Sequence, residues 1–154
     1  MTPAAPLLVH GTAIAAGRSA VLIRGQPGAG KSDLALRCLH LPAGPHLPIP
    51  FLLVADDQVY LSADGHGLLA SAPPQIRGKL EVRGVGIVDV ETCPPAHVRL
   101  VVDLVAPDRI ERFPQIETCE VHGMRLPRVW LTPFEASAPV KLLLSLNAII
   151  LRQP

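Results

Sequence analysis

The chain has 154 residues and a mass of 16.4 kDa, with 49% hydrophobic residues, 18% charged residues and a mean hydropathy of +0.35. This length suits a single domain, and we predict one over residues 1–154. The formal net charge is +1 and no basic run occurs, which argues against a nucleic-acid partner. No apolar stretch reaches the roughly 18 residues of a membrane span. The three cysteines show no C-x-x-C spacing and, with no secretory signal at the start, favour a reducing, cytoplasmic location.

The first predicted elements surround a glycine-rich loop. Residues 19–25 (SAVLIRG) form a short apolar run that predicts a buried strand. Residues 31–40 (KSDLALRCLH) have helical spacing, with Asp33 in the first turn, where a carboxylate suits the helix dipole. The proline-rich stretch 41–50 must end that helix. Residues 50–57 (PFLLVADD) predict a second buried strand, so the order predicts a βαβ unit whose strands pair in parallel with a right-handed crossover.

The rest of the chain is richer in predicted strands. Asp64-Gly65, between apolar segments of residues 59–72, predicts a hairpin. Residues 137–152 predict a helix with Pro139 in its first turn. Further strands are predicted over residues 79–90, 97–105 and 124–132. The sequence therefore predicts an α/β fold with a mixed, partly antiparallel sheet and a C-terminal helix.

Residues 25–32, GQPGAGKS, match the phosphate-binding pattern G-x-x-x-x-G-K-[ST]. Glycines let backbone N–H groups approach phosphate oxygens without an intervening Cβ. In such a loop Lys31 reaches the β- and γ-phosphates and the Ser32 hydroxyl coordinates Mg²⁺. A strand before and a helix after are the context that this P-loop requires. We therefore predict a nucleotide site formed by Gly25, Gln26, Pro27, Gly28, Ala29, Gly30, Lys31 and Ser32.

Two adjacent carboxylates, Asp56 and Asp57, follow the second predicted strand, where P-loop proteins place a magnesium-binding acid. One would hold the metal or its water, and the other would accept the proton of an attacking hydroxyl. The sequence leaves open which aspartate has which role. A guanine-reading N-K-x-D is absent from the sequence, so a switch GTPase is not predicted.

Several segments resemble the catalytic domain of HPr kinase/phosphorylase. They are His10-Gly11, GQPGAGKSD, LVADD and, above all, residues 72–90 (APPQIRGKLEVRGVGIVDV), in which LEVRGVGIVDV is similar to that family's signature. The likeness runs from about Val9 to Asp89 and continues more weakly to about Asn147. The resemblance implies a P-loop-containing kinase-type domain of the short form that lacks the N-terminal domain of long members.

The resemblance also implies an activity and partners. It points to an ATP- and Mg²⁺-dependent protein-serine kinase that phosphorylates the phosphocarrier protein HPr, or its nitrogen-branch relative, and so regulates the phosphotransferase system. Family members are hexamers, so a homo-oligomer is expected. Two alternatives stay open: a small-molecule kinase on a P-loop scaffold, and a nucleotide-sensing module without catalysis.

Individual residues take roles from the same resemblance. His10 matches the catalytic histidine upstream of the P-loop, and the general base lies within Asp56-Asp57. Glu81 matches a second magnesium-binding carboxylate, with a surface ion pair to Arg83 as the alternative.

An arginine that steadies charge on the transferred phosphoryl group is also expected downstream. Within DRIERFPQ, Arg112 is the better match and Arg109 the fallback.

The C-terminal segment departs from the family pattern. Long members carry a P-V-x-x-G-R-N segment associated with dephosphorylation. Here APVKLLLSLN keeps Pro139, Val140, Lys141 and Asn147 but has leucines where the glycine and arginine belong. The sequence therefore predicts kinase activity and leaves phosphorylase activity open.

Overall fold

The computed structural model describes residues 5–152, which form eleven strands, two α-helices and two 3-10 turns. The strands are β1 (Leu7–His10), β2 (Thr12–Ala16), β3 (Ser19–Arg24), β4 (Phe51–Ala55), β5 (Gln58–Asp64), β6 (Gly67–Ser71), β7 (Lys79–Val82), β8 (Gly86–Asp89), β9 (Ala96–Leu104), β10 (Glu117–Val121) and β11 (Met124–Leu131). The helices are α1 (Lys31–Leu39) and α2 (Ala138–Arg152). Within these residues, no helix is long and apolar enough to cross a membrane.

Nine strands form one mixed sheet in the order β1-β5-β6-β9-β3-β2-β4, to which β11 adds in parallel beside β9 and β10 antiparallel beside β11. Strand β3 is central, with β9 parallel on one side and β2 antiparallel on the other. Gly11 connects β1 to β2, and its N–H donates to the carbonyl oxygen of Asp57, between β4 and β5, at 3.0 Å. Because β1 and β4 end the path of paired strands, this contact shows that the sheet is curled.

Apolar side chains fill both faces of the central strands. On β3, Val21 and Ile23 pack toward the helices, whereas Ala20 and Leu22 face the inside of the curled sheet. The helices complete the first cluster with buried side chains that include Leu34, Ala35, Cys38, Leu142 and Leu146. Strands buried on both faces read as continuous apolar runs, which explains why β3 was evident in the sequence. The loop that follows β3 therefore starts from a rigid base.

Most predicted elements are confirmed. The predicted strands over residues 19–25, 50–57, 97–105 and 124–132 correspond to β3, β4, β9 and β11. The hairpin at Asp64-Gly65 joins β5 to β6, and the C-terminal helix is α2. Residues 79–90 form a separate two-stranded sheet of β7 and β8, which turns at the glycines between them.

The predicted pairing of the two strands that flank α1 is wrong. Strands β3 and β4 run in the same direction, but β2 lies between them and is antiparallel to both. The sequence of β2, TAIAA, is short and rich in alanine, which has a low strand propensity, so the residue pattern does not predict this strand. As a result, the side chain of Thr12 lies between the glycine loop and the acids that follow β4.

Cysteine reactivity tests this packing. Burial raises the pKa of the Cys38 thiol to about 12, and it also raises the pKa of the buried Cys93. Cys119, on β10, is partly exposed. Because the thiolate is the reactive form, we expect Ellman's reagent to modify Cys119 in the native protein and all three cysteines after denaturation. The Cys119→Ser variant should lose the fast reaction, and rapid labelling of native Cys38 would contradict the packing.

Candidate active site

The glycine-rich loop joins the carboxyl end of β3 to the first turn of α1. Gly28 and Gly30 have φ angles of 79° and 102°, a region that glycine adopts without strain. Helical hydrogen bonding begins as the N–H of Leu34 donates to the carbonyl oxygen of Gly30 at 2.9 Å. The loop thus places the positive end of a nine-residue helix beside an open backbone turn. This arrangement suits the binding of an anion, above all a phosphate.

Lys31 occupies the first position of α1 and is buried. Its Nζ atom donates to the carbonyl oxygens of Gly25 and Gln26, at 2.9 and 3.1 Å. These two bonds hold the ammonium group against the loop, where its charge adds to that of the helix end.

Asp56, directly after β4, is buried, and its carboxylate accepts three hydrogen bonds. The hydroxyls of Thr12 and Ser32 donate to Oδ1 at 2.9 and 2.6 Å. The backbone N–H of Glu81 donates to Oδ2 at 3.1 Å. One carboxylate thus links β2, the first turn of α1 and the β7–β8 hairpin, and it fixes the serine hydroxyl of the phosphate-loop pattern.

Asp57 faces the other way. Its φ angle is 69°, in the left-handed region, and its side chain is 64% exposed. Its Oδ1 atom lies 3.4 Å from Nε2 of His10, which is also exposed. The two neighbouring carboxylates therefore have different environments: Asp56 is enclosed by donors, and Asp57 can meet a molecule that arrives from solvent.

An open cavity of about 340 Å³ brings most of the predicted residues together. Lys31, Ser32 and Asp57 line it, together with His10 and Glu81. The alternative partner of Glu81, Arg83, lines the same cavity.

Arg112 and Arg109 lie elsewhere. Both line a second cavity, of about 770 Å³, between α2 and the segment that follows β9. The guanidinium carbon of Arg112 lies 5.5 Å from the centroid of the Phe113 ring. Within one copy of the chain, the structure does not bring either arginine to the glycine loop.

The structure adds two residues to which no sequence motif points. Thr12 is one, since its role depends on the unpredicted strand β2. The other is Phe134, which follows β11 and reaches the cavity because β11 pairs with β9. The only hint of Phe134 in the sequence is that a large aromatic residue occurs in PFEASAP, a segment of the kind that is usually exposed.

The oxygen-bearing side chains of the site fit magnesium. The Ser32 hydroxyl donates to the Asp56 carboxylate, and Glu81 lines the same cavity as Ser32. These hydroxyl and carboxylate groups belong to the hard ligand class that Mg²⁺ prefers. Residues 5–152 include no group of three or more His, Cys, Asp or Glu side chains placed to hold a metal by themselves. Magnesium in nucleotide sites commonly binds one or two carboxylates plus substrate phosphates, so this donor set suits a metal that enters with the nucleotide.

The sheet, the glycine loop and the enclosed aspartate define a P-loop domain of the kinase type. Residues 3–131 match the family model of the HPr Serine kinase C-terminal domain, and the chain belongs to this family. The predicted resemblance is thereby confirmed.

Relatives share this part of the chain. The chain is 36% identical over 135 residues to HPr kinase/phosphorylase of Bordetella petrii. The aligned residues cover 80% of this chain and 41% of that protein. It is also 45% identical over 85 residues to HPr kinase/phosphorylase of an Exiguobacterium species. That alignment covers 54% of this chain and 25% of the relative. The chain thus matches less than half the length of these curated relatives.

A solved structure supports the fold. The Hpr(Ser) kinase/phosphatase from Coxiella burnetii superimposes with a TM-score of 0.79, covering 95% of this chain and 97% of that one. At 22% identity this likeness concerns the fold, and it agrees with the predicted α/β architecture.

The different surroundings of the two aspartates can be measured as stability. In Asp56→Asn, the amide NH₂ group faces one of the three groups that donate hydrogen bonds to the Asp56 carboxylate, and that hydrogen bond is lost. We therefore expect the free energy of unfolding to fall by about 1–3 kcal/mol. Asp57→Asn, at an exposed position, should stay within about 0.5 kcal/mol of the parent, since asparagine tolerates the left-handed backbone. Urea unfolding of both variants measures the difference, and equal losses would contradict the assigned environments.

Proposed function

We propose that this protein is an ATP- and Mg²⁺-dependent protein-serine kinase whose acceptor is HPr or its nitrogen-branch relative. The observation that carries the proposal is the 2.6 Å hydrogen bond from Ser32 to Asp56 at the end of the glycine loop. It joins the phosphate-binding loop to an acid, and Lys31 and the exposed Asp57 line the same cavity. Membership of the HPr serine kinase family, and the names of the relatives, support the choice of acceptor.

Binding of the nucleotide depends on charge. The open backbone of the loop and the first turn of α1 offer N–H donors to the phosphates. Lys31 exchanges its bonds to the carbonyl oxygens of Gly25 and Gln26 for contacts to phosphate oxygens.

Ser32, Asp56 and Glu81 supply the oxygen ligands for magnesium, directly or through water. Held by these ligands, Mg²⁺ would supply positive charge that neutralises the charge on the transferring phosphate. Because the Asp56 carboxylate also accepts the N–H of Glu81, the hairpin that carries the family signature is fixed at the metal-binding side of the cavity.

Asp57 is the proton acceptor in this proposal, since Asp56 is enclosed by three donors and Asp57 faces solvent. The acceptor serine gives its hydroxyl proton to Asp57 while its oxygen bonds to the γ-phosphorus. The bond from that phosphorus to the bridging oxygen breaks, and ADP leaves. His10, 3.4 Å from the Asp57 carboxylate, orients it.

Arg112 and the assembly belong to the same proposal. Arg112 acts on the transferred group only if its segment moves or if another copy of the chain supplies it. The α2 helix exposes Val140, Leu144 and Leu151, which is a suitable surface for contacts between copies. We infer a homo-oligomer, with the hexamer of the family as the expected form, working in the cytoplasm where ATP is available.

The kinase proposal is tested by transfer of labelled phosphate from ATP to purified HPr. We expect transfer to a serine of HPr, and Lys31→Ala should lower kcat/KM by roughly 10²–10³-fold because a fixed charge at the phosphates is lost. Arg18→Ala, an exposed cation on the turn between β2 and β3, serves as the matched control and should keep full activity. Undiminished transfer by Lys31→Ala would refute the site. ATP binding by the parent protein without transfer to HPr would favour a different acceptor or a nucleotide sensor.

The role of Asp57 has its own test. Asp57→Asn should slow single-turnover transfer by about 10²–10⁴-fold, the range for loss of a general base, with ATP affinity nearly unchanged. Glu120→Gln, the same loss of a carboxylate at an exposed position of β10, should have no effect. If Asp57→Asn transfers phosphate at the parent rate, the proton acceptor is a different group.

A further inference from the structure

An aromatic ring lies uncovered beside the glycine loop. The side chain of Phe134 lines the cavity of the loop and is 71% exposed, although Pro133 and Thr132 before it are buried. A Cβ atom built on Gly30 would lie 2.9 Å from Cζ of this ring, so only glycine allows the ring to come so close to the loop. The ring thus touches the phosphate-binding backbone while most of its surface faces solvent.

The order of the strands separates this ring from the acids. The carboxyl ends of β11, β9, β3 and β4 lie at one edge of the sheet, because these strands run in the same direction. Asp56 and Asp57 follow β4, on one side of the loop that leaves β3. Phe134 follows β11, on the other side.

This separation fixes the direction in which a nucleotide can lie. In the proposed reaction the γ-phosphate must face Asp57, because the acceptor hydroxyl loses its proton there. The triphosphate then passes over the loop, and the nucleoside leaves it on the side opposite the acids. That side is where the ring of Phe134 lies.

We propose that Phe134 is the stacking platform for the base of the bound nucleotide. The inference rests on the nucleotide site of the proposed function but not on the identity of the acceptor. Stacking between a nucleobase and an aromatic side chain is favourable for every base, since each base has a π face. Phe134 therefore contributes affinity for the nucleoside and little selection between ATP and GTP.

The backbone around Phe134 is held in place from α1. Arg37 donates to the carbonyl oxygens of Pro133 and Glu135, the latter at 3.0 Å. The same guanidinium pairs with Asp33, one helical turn earlier, at 3.0 Å. Because α1 also begins at the loop, the backbone that carries the ring and the phosphate-binding backbone are both anchored to one helix, which favours a preformed platform.

The test compares two ligands that differ in the nucleoside. Isothermal titration with Mg²⁺·ATP and with Mg²⁺·tripolyphosphate measures binding with and without the base. We expect Phe134→Ala to lower the affinity for ATP about tenfold, which is within the range for the stacking of one base on one aromatic ring. The affinity for tripolyphosphate should be nearly unchanged, and the affinity for GTP should fall about as much as the affinity for ATP. Phe134→Tyr should restore ATP binding, because the ring face is kept.

Phe113→Ala is the matched control, since Phe113 is also a strongly exposed phenylalanine, at 83% against 71% for Phe134, and does not line the cavity of the loop. It should leave the affinity for ATP unchanged. An equal loss of affinity for ATP and for tripolyphosphate in Phe134→Ala would overturn the proposal. The ring would then support the phosphate-binding loop and not the base. Unchanged ATP affinity with a raised KM for HPr would also overturn it and would assign the ring to the acceptor protein.

These outcomes separate the two proposals. If the parent protein transfers no phosphate to HPr but Phe134→Ala still weakens ATP selectively, the acceptor is wrong and the platform stands. If the parent protein binds neither ATP nor tripolyphosphate, the nucleotide site itself is wrong and the platform falls with it.

Discussion

The arrangement of the site depends on the carboxylate of Asp56. Its two oxygens accept hydrogen bonds from Thr12 on β2, from Ser32 in the first turn of α1 and from the backbone of Glu81 on β7. A buried carboxylate requires such donors, because an unpaired charge in the interior is costly. The same hydrogen bonds hold three segments that are far apart in the chain at one point. They also orient the hydroxyl that is proposed to bind magnesium before a nucleotide binds.

Asp56 and Asp57 have the same side chain, but the backbone turns the two carboxylates into different environments. Asp56 directly follows the buried strand β4 and is itself buried, whereas Asp57 has a left-handed conformation and an exposed side chain. The contact between Gly11 and the carbonyl oxygen of Asp57 closes the curled sheet at this point and brings His10 to the exposed carboxylate. The different environments that the proposal uses to divide a metal-binding acid from a proton acceptor therefore follow from how the sheet closes.

Helix α1 organises both sides of the cavity. Its first turn places Lys31 and Ser32 at the glycine loop, and Arg37 in its last turn donates to the segment that carries Phe134. Below the loop, Arg24 at the end of β3 donates two hydrogen bonds of 2.8 Å to Asp103 on β9. Bidentate pairs of this kind fix geometry as well as charge. The glycine loop is therefore held between well-packed elements.

The sequence by itself determined what depends on neighbouring residues: the glycine loop, the helix after it, the buried strands β3 and β4, and the family signature in residues 79–90. Only the tertiary structure decided what depends on long-range pairing. Strand β2 enters between β3 and β4, Asp56 and not Asp57 becomes buried, Arg112 lies in another cavity, and Phe134 arrives at the loop. Thr12 and Asp56 are 44 positions apart, and Arg37 and the carbonyl of Glu135 are 98 apart. Such contacts follow from the order of strands in a curled sheet, which no local pattern of residues encodes.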